Sequence, residues 1–93
     1  MRKFEWDEKK NKLNIEEKGL PFEAAKQLFD YPLQIGLDER KNYNEQRFIG
    51  VGEIDGRLMV VVFTKRKPNI IRIISFRKAN DREQKKYYTN ILG

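Results

Sequence analysis

The stretch GRLMVVVFTKRKPNIIRIISFRKANDRE, residues 56–83, decides the fold. It follows Asp55, and Asp-Gly between alternating apolar runs is the strongest short signal for a two-residue type I′ hairpin turn. Residues 58–66 then read as a central, valine-rich strand. Lys67-Pro68-Asn69 turns the chain, and residues 70–77 return as the next strand. Asn80 with Glu83 three positions later makes a start resembling a capping box for a final helix. Tyr87, Tyr88, Ile91 and Leu92 would anchor that helix.

Upstream of the turn, residues 46–54 form the partner strand, interrupted in style by Gly50 and Gly52. Residues 41–45 are a polar turn. Residues 33–40 alternate weakly as a strand, with Leu33, Ile35 and Leu37 on one side. Residues 2–6 alternate around Phe4 and Trp6 and predict a short edge strand. Asp7 can cap a helix running through Lys18, with Leu13 as its main apolar anchor, Ile15 on another flank and Gly19 as its C′ residue. Pro21 restarts the chain, and Phe22, Ala25, Leu28 and Phe29 recur at helical spacing until Pro32. The order is β-α-α-β-β-β-β-α. It predicts one α+β domain over residues 1–93, an antiparallel β-sheet of about four main strands plus a short N-terminal strand. Two helices precede the sheet and one follows it.

The Asp55-Gly56 turn fixes register. It sets Ile54 opposite Arg57, Gly52 opposite Met59, Gly50 opposite Val61 and Phe48 opposite Phe63. On the other face Val51 meets Val60, Ile49 meets Val62 and Arg47 meets Thr64. With Pro68-Asn69 as a two-residue loop, Met59, Val61, Phe63, Ile70, Ile74 and Phe76 share the core face with Phe48. The second face then carries Arg47, Thr64, Arg66, Ser75 and Arg77 among Ile49, Val51, Val60, Val62 and Ile73, and Arg72 falls at the edge of the core face. A three-residue loop would reverse the last strand. The mixed second face is too apolar to lie bare, which implies cover by the last helix, a partner protein or both.

Composition narrows the chemistry. The chain has 93 residues, no histidine and no cysteine. Imidazole catalysis, thiolate metal sites and disulfides are therefore excluded. The start MRKFEWDEKK lacks the apolar core of a signal peptide, and the apolar run 58–63 is far too short to span a bilayer. The net charge of +6 is uneven: residues 1–56 hold 10 basic and 12 acidic side chains, −2, and residues 57–93 hold 10 basic and 2 acidic, +8. A basic half on a near-neutral half suits nucleic acid or an acidic protein. Its alternative is a solvated, solubilising face.

Each candidate has a structural alternative. Arg47 and Arg66 could clamp an anion or pair with Glu45 or Glu53 across strands. Arg72 could be a snorkelling residue. Arg77 ends a strand just before a helix N-terminus, which adds positive potential for an anion. Glu83 could be a cap before it is a catalyst. Of Tyr87 and Tyr88, one belongs to the core and the other could present its hydroxyl to a groove. If the chain acts on a phosphodiester, Arg, Lys, Glu and Tyr must carry the chemistry.

The segments FEWDEKKNKLNIEEKGLPFEAA, FDYP, FTKR and IRIISFRKAN, with Glu83 and Tyr87 after them, resemble the BrnT toxins of bacterial type II toxin–antitoxin systems. The resemblance runs from Phe4 to about Tyr88, and the combined order of motifs, rather than any one of them, is specific. It implies a RelE-like ribonuclease fold and a metal-independent endoribonuclease that inhibits translation. It implies neutralisation by a BrnA-type antitoxin, contact with DNA only through that antitoxin, a cytoplasmic location and no membrane contact. The expected assembly is a homodimer or a toxin–antitoxin heterotetramer. Carried over by position, Arg66, Arg77, Glu83 and Tyr87 are the expected catalytic residues. Arg47, Arg72, Lys18 and Lys65 are the expected RNA-binding ones, with no metal and no cofactor. One departure stands out: where such toxins commonly read Lys-His-Gly, this chain has Glu17-Lys18-Gly19, and a lysine is a poor proton shuttle at neutral pH. The alternative is a non-catalytic basic module that binds nucleic acid or an acidic partner.

Overall fold

A computed structural model describes residues 2–39 and 44–92. The elements are β1 (Lys3–Trp6), α1 (Glu8–Lys18), α2 (Phe22–Ala25) continued by a 3-10 turn (Lys26–Asp30), β2 (Gln34–Leu37), β3 (Phe48–Ile54), β4 (Arg57–Arg66), β5 (Ile70–Lys78) and α3 (Asp81–Leu92). This is the expected β-α-α-β-β-β-β-α order. Residues 41–43 of the expected polar turn 41–45, and residue 40 at the end of the expected strand 33–40, lie outside the described residues. The five strands form one sheet in the order β1-β5-β4-β3-β2. Strands β2 to β5 run as an antiparallel meander, and β1 joins as a parallel edge strand beside β5.

The Asp55-Gly56 turn sets the β3–β4 register as expected, with Asp55 at φ 50 and Gly56 at φ 81. Both central residues lie at positive φ, the geometry of a type I′ turn. The β4–β5 hairpin departs from the expectation and then returns to it. Arg66 pairs with Ile70 across a three-residue loop in which Lys67 takes φ 58. A register shift then falls between the pairs Val62–Ser75 and Phe63–Ile73, leaving Ile74 as the extra residue of a β-bulge. Loop and bulge cancel. From Ser75 onward the faces are as expected, but residues 70–73 are reversed. Ile71 and Ile73, not Ile70 and Ile74, belong to the core, and Arg72 stands on the second face opposite Thr64.

The core face of the sheet packs against α2 and its 3-10 extension. Phe22, Ala25 and Leu28 are buried against Met59, Val61, Phe63, Ile71, Ile73 and Phe76. Gly52 makes the close approach possible, because a Cβ there would meet Leu33 Cδ2 at 2.9 Å and Leu28 Cδ2 at 3.2 Å. The second face is covered in part by α3: Leu58, Val60, Ala79 and Tyr87 form a smaller cluster with Ile49 and Val51.

Helix α1 is held differently from the expectation. Its ends are as read, with Asp7 accepting from the Lys9 and Lys10 amides and Gly19 at φ 69 closing the C-terminus. Leu13, however, is 53% exposed and Ile15 42% exposed, so neither is an anchor. The buried residue is Asn14, whose Nδ2 donates to the carbonyls of Leu20 at 2.8 Å and Phe76 at 2.9 Å. One turn earlier, Asn11 Oδ1 accepts from the Phe22 amide at 2.8 Å and ties α1 to the start of α2. The helix thus attaches through side-chain hydrogen bonds to backbone groups of the loop before α2, of α2 and of β5.

Candidate active site

Arg77 stands near the end of β5 on the second face, opposite Val60. Three residues later the chain enters α3 through a reciprocal cap. Asn80 Oδ1 accepts from the Glu83 amide at 2.8 Å, and Glu83 Oε1 accepts from the Asn80 amide at 2.9 Å. The same carboxylate receives both ends of the Arg77 fork, Nη1 to Oε1 and Nη2 to Oε2, each at 2.7 Å. A bidentate charged pair of this length fixes orientation as well as energy. Glu83 therefore caps the helix and aims the guanidinium at once.

One turn along α3, Tyr87 is buried against Leu58, Val60 and Ala79. It lines a groove of about 360 Å³ with Glu83, Lys86, Gln34, Ile49 and Val51, between α3 and strands β2 and β3. Of the two tyrosines, Tyr87 is the core residue, with its ring edge-on to Tyr88 at 5.2 Å. The Tyr88 hydroxyl turns away and donates to Glu53 Oε1 at 2.8 Å. That hydrogen bond, with some burial and the charge of Glu53 behind it, raises the phenol above its usual range.

The remaining arginines continue along the same face. Arg72 Nη1 lies 2.9 Å from Glu5 Oε2 on β1. Arg66 Nη2 lies 3.1 Å from Glu45 Oε1, and Arg47 Nε lies 3.4 Å from Glu45 Oε2. Between them the buried Thr64 donates to the Gln46 carbonyl at 2.7 Å. Val60, opposite Arg77, and Arg66 are six residues apart on β4, a span of about 20 Å at the strand rise. The arginines thus form a track rather than a single cluster. The structure brings Arg77, Glu83 and Tyr87 together at one end and Arg47, Arg66 and Arg72 toward the other. Lys65 lies on the opposite, core face, with Nζ 5.4 Å from the centre of the Phe48 ring. Lys18 is exposed in the last turn of α1, and no hydrogen bond or ion pair among the described residues joins it to the arginines.

Sequence reasoning missed two members of this surface. Lys86 shares the groove because it lies three residues after Glu83 on a helix, a spacing that could have placed it there. Gln34 donates through Nε2 to the Tyr87 carbonyl at 3.5 Å, and its Oε1 accepts from Asn90 Nδ2 at 3.4 Å. No local pattern announces it. Among the described residues no three metal-ligating side chains come together, and no helix is long and apolar enough to cross a membrane.

Comparison with known proteins places this fold. The family model described as "Ribonuclease toxin, BrnT, of type II toxin-antitoxin system" matches residues 6–83. The crystal structure of the Brucella abortus ribonuclease toxin BrnT superposes with a TM-score of 0.69 at 26% identity, covering 87% of this chain and 100% of that one. No curated protein matches closely enough to add a further relative. The residues matched by the family model contain strands β2 to β5, the last residue of β1, Arg77 and Glu83, and the start of α3. The chain belongs to the BrnT family of ribonuclease toxins of type II toxin–antitoxin systems.

Proposed function

We propose that this toxin is a metal-independent endoribonuclease that stops translation in the cytoplasm and is neutralised by a BrnA-type antitoxin. The observation that carries the reading is the Arg77 fork, oriented at the N-terminus of α3 beside a groove lined by Glu83, Lys86 and Tyr87. In the reaction the RNA 2′-oxygen loses its proton and attacks the adjacent phosphorus. The bond to the 5′-oxygen breaks, and that oxygen takes a proton as it leaves. The products are a 2′,3′-cyclic phosphate and a 5′-hydroxyl. Charge builds on the phosphoryl oxygens, where a guanidinium is most effective. Arg77 supplies that charge, and Arg66, Arg72 and Arg47 hold phosphates along the strand. Glu83, Lys86 and Tyr87 are the groups within the groove that could move protons.

Binding without cleavage is the second reading, and the engagement of Glu83 by Asn80 and Arg77 favours it. Purified protein on a labelled RNA, with and without EDTA across pH 5–9, separates the two. Cleavage should persist in EDTA, unlike that of a two-metal nuclease, and the rate should show no histidine inflection near about pH 6.5. Cleavage lost in EDTA and restored by Mg²⁺ would overturn the metal-free mechanism. RNA bound but never cut, with no growth arrest on expression, would leave the binding module.

A further inference from the structure

Arg47, just before β3, and Arg66, at the end of β4, converge on one carboxylate. Glu45 Oε1 lies 3.1 Å from Arg66 Nη2, and its Oε2 lies 3.4 Å from Arg47 Nε. Two guanidiniums around a two-oxygen anion is an arrangement equally suited to the non-bridging oxygens of a phosphodiester. The three carboxylates that pair with the arginines of this face are tied down to different degrees. Glu83 also caps α3. Glu5 lies within β1, whose backbone pairs with β5 at Arg72. Glu45 precedes β3 in a bend outside any helix or strand. Its carboxylate can swing away without uncapping a helix, as that of Glu83 cannot, and its backbone, unlike that of Glu5, is not fixed in the sheet.

We infer that Arg47 and Arg66 form a second phosphate subsite, remote from Arg77, and that the Glu45 carboxylate occupies its seat until RNA displaces it. The inference rests on the proposal that this face receives RNA. It names the substrate as an RNA strand long enough to reach from Arg77 to Arg66. That distance, about 20 Å, corresponds to roughly six stacked nucleotides at 3.4 Å each, and fewer if the strand is extended. A dinucleotide can occupy the Arg77 end alone. A longer strand reaches both ends and must evict Glu45.

The prediction is counterintuitive for a charged pair: removing the acid should improve binding. The probes are fluorescein-labelled 2′-O-methyl oligonucleotides, a dinucleotide and one of about ten nucleotides. Their blocked 2′-oxygens prevent cleavage, so fluorescence anisotropy reads binding alone. Glu45→Gln should tighten the longer probe roughly fivefold beyond Glu23→Gln, the effect of one exposed ion pair. Glu23 pairs with Lys26 on the other side of the sheet, so the two variants change net charge equally. Arg66→Ala should weaken the longer probe and leave the dinucleotide unchanged. Equal tightening by both glutamine variants would reduce the effect to net charge and overturn the subsite. So would Arg66→Ala binding the longer probe as wild type does. Cleavage of unmodified RNA is measured separately. Its absence would strike the nuclease reading, while the binding comparison still decides the subsite.

Discussion

Removing the Arg77 side chain should do two separable things. It withdraws the guanidinium beside the groove, and it frees the Glu83 carboxylate from a pair whose side chains are 31% and 26% exposed. The second effect is small, on the order of 1 kcal/mol or less in a thermal melt. The first is large: by analogy with an oxyanion donor, cleavage by Arg77→Ala should fall roughly 10²–10³-fold. Arg77→Lys should land between the two, because it keeps the charge and loses the fork. Growth arrest by soluble Arg77→Ala at wild-type expression would remove Arg77 from the cleaved bond. Tyr88 offers a pH prediction. Its raised phenol value means that the folded protein favours the neutral hydroxyl. That contribution to stability is whole below about pH 10, where an unfolded tyrosine titrates. It is lost as pH climbs through the higher folded value. Melts of wild type and Tyr88→Phe should differ below that window and converge above it; a constant difference would assign the effect to packing instead.

Elements differed in how openly the sequence declared them. The Asp55-Gly56 hairpin, the Asn80–Glu83 cap and the Asp7 and Gly19 boundaries of α1 were legible because each rests on contacts within a few residues. The β4–β5 register was not. Whether Lys67-Pro68-Asn69 closes with two or three residues, and whether a bulge follows, depends on the packing of Ile71 and Ile73 against α2, which no local pattern encodes. The same gap hid the choice of Glu45 as partner of both Arg47 and Arg66, since Glu45 is nearer in sequence to Arg47 and Glu53 nearer to Arg66. In α1 hydrophobicity misled outright, because its anchor is the amide of Asn14. Asn14→Ala should therefore cost about 1–3 kcal/mol, leaving two inward carbonyls short of a donor. Leu13→Ser should stay within about 0.5 kcal/mol, as an exposed position does. Chemical denaturation of both variants checks the contrast, and the reverse ranking would restore Leu13 as the anchor.

For the molecule as a whole, charge and topology act together. The excess of +8 in residues 57–93 lies on strands β4 and β5, the loop between them and α3, the segment that bears Arg66, Arg72 and Arg77. RNA should therefore associate quickly at low salt, and the rate should fall steeply between about 50 and 500 mM. Stopped-flow measurement with the uncleavable probe tests this, and a flat salt dependence would leave the track without a steering role. The parallel pairing of β1 with β5 has a consequence for synthesis. Lys3 bonds to the Asn69 carbonyl and Glu5 to Arg72, contacts that span most of the chain. As the polypeptide emerges, its first strand has no partner strand until residues 70–78 have been made. Arg77, Glu83 and Tyr87 come later still. A partly translated toxin thus has neither its β1 edge nor its groove, and the site completes only when nearly all of the fold has left the tunnel.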